Sequence, residues 1–346
     1  MEPEPIFSSV KSFAPATIAN VGPGSKQINC AIDGSIGDYV SVHIDPHVSP
    51  GTSAIAAING VAPKGYYPTA KSVAEKVMRM LGIESAGLSL SIEKGLPPSW
   101  SIESKASTDA AVVVAVNELF GGKLSVSELI QAGVYRDGSM EKEDPNYPVI
   151  KGNLVTATMG GFVMIHDYQP FEINPLEFPA DKELFFIFVN PEIEIGNSYR
   201  PEMASMKEIQ KSDAKTKPPT EYHGQRAPLI PGFEVMRETA EGKAMRCRII
   251  KNRVSDDDDY LEKSMEESKS TIPGLAKVMK VALEEGAFGC KLVGPKVIVA
   301  VTDDIEKGKE IGNQMVEAFL NHGGGLKASA MVHKLDRVGA RVISRE

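Results

Sequence analysis

Cysteine is scarce in this chain of 346 residues: Cys30, Cys247 and Cys290 are its only three. They are odd in number, widely spaced and without a CxxC pair. Neither a disulfide framework nor a zinc signature is present, and a reducing compartment is expected. Long apolar runs are missing too. The longest, Ala110–Val116 and Leu184–Val189, fall far short of the roughly 18 residues that cross a bilayer, so no membrane partner is expected. Positive charge is not in excess: 38 Lys and Arg stand against 46 Asp and Glu, a formal net charge of -8. That balance argues against nucleic acid as a partner, but not against a small anionic ligand, which needs only a local pocket of donors. No Gly-x-Ser-x-Gly elbow and no Gly-x-x-x-x-Gly-Lys-Ser/Thr loop occurs, so hydrolase and P-loop readings have no support. The six histidines lack metal-ligand spacing beyond His43 and His47. Those two are four apart in a strand-and-turn region containing Pro46, whereas only a helix would bring that spacing to one face. The N-terminus, Met1-Glu2-Pro3-Glu4-Pro5, has no basic n-region, apolar h-region or Arg/Ser-rich transit character.

What is present reads as ordinary globular protein, with 42% hydrophobic and 24% charged residues, and the length suggests about two domains. Ser9–Phe13 and Tyr39–Ile44 alternate as strands, with a turn at Gly22-Pro23-Gly24 between them. Val73–Leu81 has helical spacing, Leu88–Ile92 alternates strictly, and Asp109–Phe120 is a strongly apolar helix. Ser125 and Ser127 are candidate N-caps of a short helix, and Asp137–Tyr147 is turn-like. Gly161–His166 and Leu184–Val189 read as buried strands of a second sheet. Pro201–Pro231 has little periodicity and reads as a mobile connection, and Asp256–Asp259 reads as a solvated run. Pro273–Glu285 and Glu306–Leu320 read as helices, with strands at Lys296–Thr302, Ala328–Leu335 and Arg341–Ile343. Such irregular alternation fits an α+β fold better than a doubly wound parallel sheet. A short echo links Ile230-Pro231-Gly232 with Ile272-Pro273-Gly274.

Three segments stand out together: Phe13–Gly24, Gly95-Leu96-Pro97-Pro98 leading through Ser104 into the Ala110–Leu119 helix, and Gly286–Pro295. With Met159-Gly160-Gly161-Phe162, the run Arg226–Gly232 and the tail Lys334–Arg341, they resemble the GHMP small-molecule kinases, specifically homoserine kinase of the plant type. The resemblance spans roughly residues 6–345. It implies a two-domain α+β fold with a cleft between the domains, an N-terminal domain over 1–175 carrying the phosphate loop and a C-terminal domain over 176–346. It further implies ATP and Mg as cofactors, transfer of the γ-phosphate to the L-homoserine hydroxyl on the path to threonine, and room for a homodimer. The implied location is cytoplasmic, or plastid stroma after removal of a transit peptide.

The chain departs from that pattern where the chemistry sits. Where the family's phosphate loop carries three glycines, this sequence has Ser99, Ser101 and Glu103, followed by Ser104 and Lys105. Glycine serves there because the backbone must approach phosphate without a Cβ in the way. Glu103 opposes an anion, and Lys105 compensates in charge but not in backbone geometry. The competing reading of this stretch is a surface helix entry with Ser104 or Ser101 as N-cap. After Gly22-Pro23-Gly24 the family's Phe-Asp is Ser25-Lys26, an inversion of charge. The resemblance carries substrate roles to Thr17, Asn20 and Arg200, which for Thr17 and Asn20 competes with capping the turn. It carries catalytic roles to Asn153 and Arg226, phosphate contacts to Ser99, Ser101, Ser104 and Lys105, and the metal to Asp137. Either Arg226 or the second Ile-Pro-Gly copy, which would bring Ser268 or Lys269, stands at the family's arginine position. Two functions stay open: homoserine kinase, or a non-catalytic relative or redesigned scaffold that keeps the fold and has lost ATP binding.

Overall fold

The computed structural model describes residues 2–23, 27–34, 36–63, 68–96, 105–134, 147–168, 171–193, 228–237, 245–250, 272–294 and 296–346. Alternation builds the first sheet. In β4 (Asp38–Ile44) Val40 and Val42 are buried while Tyr39, Ser41 and His43 are half-buried, as a sheet with one covered face requires. Its order is β15 (Arg341–Arg345), β1 (Ser9–Ala14), β4, β6 (Leu88–Glu93), β5 (Ser53–Ile58). Neighbours are antiparallel except β5 beside β6. Two helices cover it, α1 (Pro68–Leu81) and α2 (Lys105–Leu119), with Val73, Val77, Ala110 and Val113 against Val40, Val42 and Leu90. Of α2 only Lys105, Val114 and Glu118 escape full burial. A helix apolar all round is a core helix.

The second sheet runs β10 (Phe233–Arg237), β11 (Met245–Ile249), β8 (Phe171–Glu177), β7 (Phe162–Tyr168), β3 (Gln27–Ile32), β2 (Ala16–Ile18). Period-two alternation splits its faces. Val163 and Ile165 meet Leu154 and Val155 of α4 (Tyr147–Met159), while Phe162 and Met164 face the third sheet. That sheet runs β12 (Gly289–Val293), β13 (Val297–Thr302), β9 (Phe185–Pro191), β14 (Ala328–Lys334). In β9, Phe186 and Phe188 point to the second sheet, and Ile187 and Val189 to the helices α5 (Leu275–Glu284) and α6 (Ile305–His322). Each of those buried phenylalanines contributes about 2–3 kcal/mol of hydrophobic transfer. Among the described residues a further helix, α3 (Val126–Val134), opens with a capping box. The Ser125 N–H donates to Glu128 Oε2 at 2.8 Å, and the Glu128 N–H returns to Ser125 Oγ at 3.4 Å.

Layers of helix and sheet in this arrangement make an α+β fold, as the sequence pattern indicated. Gly161–His166 and Leu184–Val189 do not share a sheet, however: β8 turns back beside β7, and β9 joins β13 and β14 in the sheet packed against it. The expected division at 175/176 falls inside β8, and β15, from the end of the chain, pairs with β1. The connection at 201–227 and the run Asp256–Asp259 lie outside the described residues.

The C-terminal tail is tied to the turn before β7. Asp336, buried, accepts from the N–H groups of Val338 (2.8 Å) and Gly339 (2.7 Å) and from Arg341 Nη1 (2.7 Å). Its backbone receives the Gly161 N–H and donates to Ala31 O. Arg341 stacks on the Phe13 ring, 4.6 Å from its centroid. Gly160 and Gly339 meet face to face at positive φ (76° and 80°). A Cβ on Gly339 would lie 2.4 Å from Thr158 O, so the tail motif is needed for close backbone approach.

His333 of β14 sits beside this tail with a buried Nε2 that has no hydrogen-bond partner, its ring edge-on to Phe188 at 6.0 Å. Burial pushes its pKa below the ordinary histidine value, against the weaker pull of Asp33. The unfolded chain therefore takes up this proton first, and stability falls as pH drops through the unfolded value of about 6.5. Between pH 7.5 and 5.5 the wild-type melting temperature should fall more than that of His333→Phe, as read by differential scanning fluorimetry. Equal slopes would show that His333 does not contribute.

The three cysteines are buried. Burial raises the thiol pKa of Cys30 and Cys290, and pushes that of Cys247 up to about 12, so none presents a thiolate nucleophile at neutral pH. Cys247 lines a cavity of about 570 Å³ with Phe178, Arg246 and Arg337. Strand register places it at the Gly161 end of β7, opposite the end that pairs with Gln27.

Candidate functional site

The junction of β1 and β2 and the helix α4 meet the first turn of α2. The turn contains no acidic residue, and a helix N-terminus carries the positive end of the helix dipole, a setting suited to an anion. Ser107 Oγ donates to Pro15 O at 2.8 Å, tying the turn to the junction of β1 and β2. Ala106 packs with Leu154 and Val155 of α4. Beyond β2, Asn20 is buried at φ 57°, a left-handed conformation that asparagine tolerates better than most residues. Its carbonyl accepts the Leu229 N–H at 3.1 Å, and Val21 O accepts that of Ile230 at 2.7 Å.

Thr17 of β2 is half-buried and pairs with Ala31. Asn153, half-buried on α4, accepts from Asn29 Nδ2 at 3.1 Å, and Asn29 Oδ1 accepts from Gln27 Nε2 at 2.9 Å. Lys105 is exposed as the first residue of α2. The structure thus brings together the surroundings of Thr17, Asn20, Asn153 and Lys105. Ser99, Ser101, Ser104, Asp137, Arg200 and Arg226 lie outside the described residues.

A buried charge cluster joins the two ends of the chain between β6 and α2. The Asp38 carboxylate, fully buried, accepts at Oδ2 from Lys94 Nζ (2.7 Å) and from Thr108 Oγ1 (2.6 Å). The Gly95 N–H reaches its Oδ1 at 3.3 Å. Lys94 stands just before residues 97–104 and Thr108 just after them, so one carboxylate grips both flanks of that segment. Sequence reading missed this cluster because Asp38 opens a strand and Lys94 directly follows one, positions where exposed charges are common. The Gly-Leu-Pro-Pro beside Lys94 was the available signal.

Comparison with known proteins identifies the setting. No family model matches the chain. An Arabidopsis thaliana homoserine kinase is 40% identical over 99% of this chain and 87% of its own length. The chain belongs to the homoserine kinase family. A homoserine kinase of Chlorobium phaeovibrioides is 26% identical over 97% of the chain and 100% of its own length. Among solved structures, homoserine kinase from Cytophaga hutchinsonii matches with TM-score 0.64 and 22% identity over 98% of this chain and 99% of that one. L. major mevalonate kinase in complex with R-mevalonate matches at 0.56 and 15%, over 97% and 99%. These likenesses establish the GHMP-type two-domain α+β fold.

Within the homoserine kinase family fold, the two Ile-Pro-Gly copies have different surroundings. The first abuts Gly289, where a Cβ would lie 1.8 Å from Leu229 O, and joins Asn20 and Val21 through its backbone. The second opens α5, with Gly274 at φ 78° against Gly323.

Proposed function

We propose that this chain transfers the γ-phosphate of ATP to the side-chain hydroxyl of L-homoserine. The observation that carries the reading is near-full-length identity of 40% to a homoserine kinase, joined to a first turn of α2 without acidic residues and to the amide chain that ends on Asn153. In this reading the first turn of α2, with Ser104 and Lys105, meets the phosphates, Ser99 and Ser101 line the same segment, and Thr17, Asn20 and Arg200 hold the substrate. Asn153 and Arg226 bear on the reacting groups, where positioning and charge stabilisation do most of the work. Among the described residues no group of three His, Cys, Asp or Glu side chains could hold a metal ion. Mg²⁺ commonly enters such sites on the nucleotide phosphates with one or two carboxylates, and Asp137 is the carboxylate assigned here by sequence. The compartment in this reading is cytoplasm or plastid stroma.

A coupled ADP-release assay tests the reading. Turnover above about 1 s⁻¹ that requires homoserine supports it. The competing reading, a relative that keeps the fold without the nucleotide site, draws on Ser99, Ser101 and Glu103 at the loop's glycine positions. It expects no turnover and no thermal stabilisation by millimolar Mg-ATP.

The same substitutions give a prediction. Ser99→Gly, Ser101→Gly and Glu103→Gly together with Lys26→Asp should tighten ATP binding about tenfold, because backbone N–H groups can approach the phosphates and a repelling carboxylate is gone. Isothermal titration calorimetry reads the change. Unchanged affinity in a folded variant would place the nucleotide elsewhere.

A further inference from the structure

Strand β3 carries an anomaly: Gln27 and Asn29 are two amides on a strand that is otherwise apolar, and both are buried (2% and 0% exposed). Buried amides are costly unless paired, and these form a ladder that ends on α4. Gln27 Nε2 donates to Asn29 Oδ1 at 2.9 Å, and Asn29 Nδ2 donates to Asn153 Oδ1 at 3.1 Å. Once Gln27 occupies its oxygen, Asn29 has only a donor to turn towards Asn153. Asn153 must answer with its oxygen, because two NH₂ groups would repel. Its own Nδ2 is then the group left to face a ligand.

Room for the ladder is itself specified. A Cβ on Gly152, the residue beside Asn153 in α4, would lie 3.0 Å from Asn29 Nδ2 and 3.1 Å from Gln27 Nε2. Glycine is disfavoured inside a helix relative to alanine, and here its lack of a side chain lets the amides reach the helix.

We propose that Gln27 and Asn29 are positioning residues that fix the amide of Asn153 with its NH₂ towards the ligand, making position 153 a hydrogen-bond donor to a phosphate or carboxylate oxygen. The ligand half rests on the reading of Asn153 given under Proposed function; the orientation half does not.

The test is ¹⁵N NMR of the full chain with ¹⁵N-asparagine labelling, resonances being assigned by substitution. The Asn29 side-chain NH₂ should be protected from hydrogen exchange, while that of Asn153 exchanges fast and shifts on addition of Mg-ADP or homoserine. In Asn29→Asp at pH 8 the carboxylate can only accept, so Asn153 should turn over. Its NH₂ becomes protected, and affinity for the ligand that shifts it falls about tenfold to a hundredfold. As pH drops and the new carboxyl takes a proton, it can donate again and the wild-type pattern should return, a response that a packing role would not produce. If Asn29→Asp does not fold, Gly152→Ala crowds the ladder instead and should weaken the same ligand several-fold. A protected Asn153 NH₂ in the wild type, or an unchanged one in Asn29→Asp, overturns the proposal. So does a ligand that moves other resonances but not that of Asn153. If neither ligand moves any resonance, the kinase reading fails, and the exchange pattern still decides the orientation.

Discussion

Asp336→Ala is expected to cost about 3 kcal/mol, a fall in melting temperature of about 4 °C for a chain of this length. The carboxylate is 3% exposed and serves three donors at once, the N–H groups of Val338 and Gly339 and the guanidinium of Arg341. Alanine leaves both N–H groups without that acceptor and removes the closest countercharge of a cation stacked on Phe13. The low end of the range for breaking a buried pair applies, because the Arg341 side chain is itself 33% exposed and water screens it. The loss spreads through the fold, since the same turn sets Gly339 against Gly160 and leads β15 onto β1. Chemical denaturation would show it as a lower midpoint at unchanged slope. A midpoint equal to wild type would mean that β15 holds itself in the sheet without the turn.

Asp38→Ala should have the second large effect, on stability and on nucleotide binding together. Its carboxylate is the buried acceptor for Lys94 and Thr108, and removing one partner of such a cluster costs about 3–5 kcal/mol. Asp38→Asn keeps the shape and part of the hydrogen bonding, so about half of that loss is expected. Both variants loosen the flanks of residues 97–104, and ATP affinity should fall about tenfold in Asp38→Asn even where the protein remains folded. Urea melts and a nucleotide titration on the same sample separate the two effects. Wild-type affinity in a destabilised Asp38→Asn would show that the cluster supports the fold alone.

Much of the layered core was legible in residue order, and the reason is periodicity. Val40 and Val42 alternate with half-buried neighbours, and α2 is apolar enough to be recognised as a core helix, although its first turn at Lys105 precedes the apolar run by four residues. β3 was not legible. It is buried on both faces, so it shows no alternation, and it contains the polar Gln27 and Asn29, whose amide ladder ends on a helix far away in sequence. β8 carries Pro175 and β11 has arginines on alternate positions, so neither looks like a sheet interior. β9 is an apolar run that fits any buried sheet, and only the pairing of β8 with β7 shows which one it leaves and which it joins.

The candidate site divides in a similar way. Asn20 could be singled out because the motif around it survives, and Asn153 because it alone stays in register before Met159-Gly160-Gly161-Phe162; in the structure Asn20 O accepts the Leu229 N–H and Asn153 accepts from Asn29. The Asp38, Lys94 and Thr108 cluster joins residues far apart in sequence, a relation that spacing does not encode.

The most direct measurement is ³¹P NMR of a reaction holding the protein, Mg-ATP and L-homoserine. Phosphoryl transfer predicts a new phosphomonoester resonance, coupled to the methylene protons next to the homoserine oxygen, that grows as the γ-phosphate signal of ATP declines and appears only when homoserine is present. A spectrum in which ATP stays intact, or in which its γ-phosphate is released only as inorganic phosphate whether or not homoserine is added, would contradict the account.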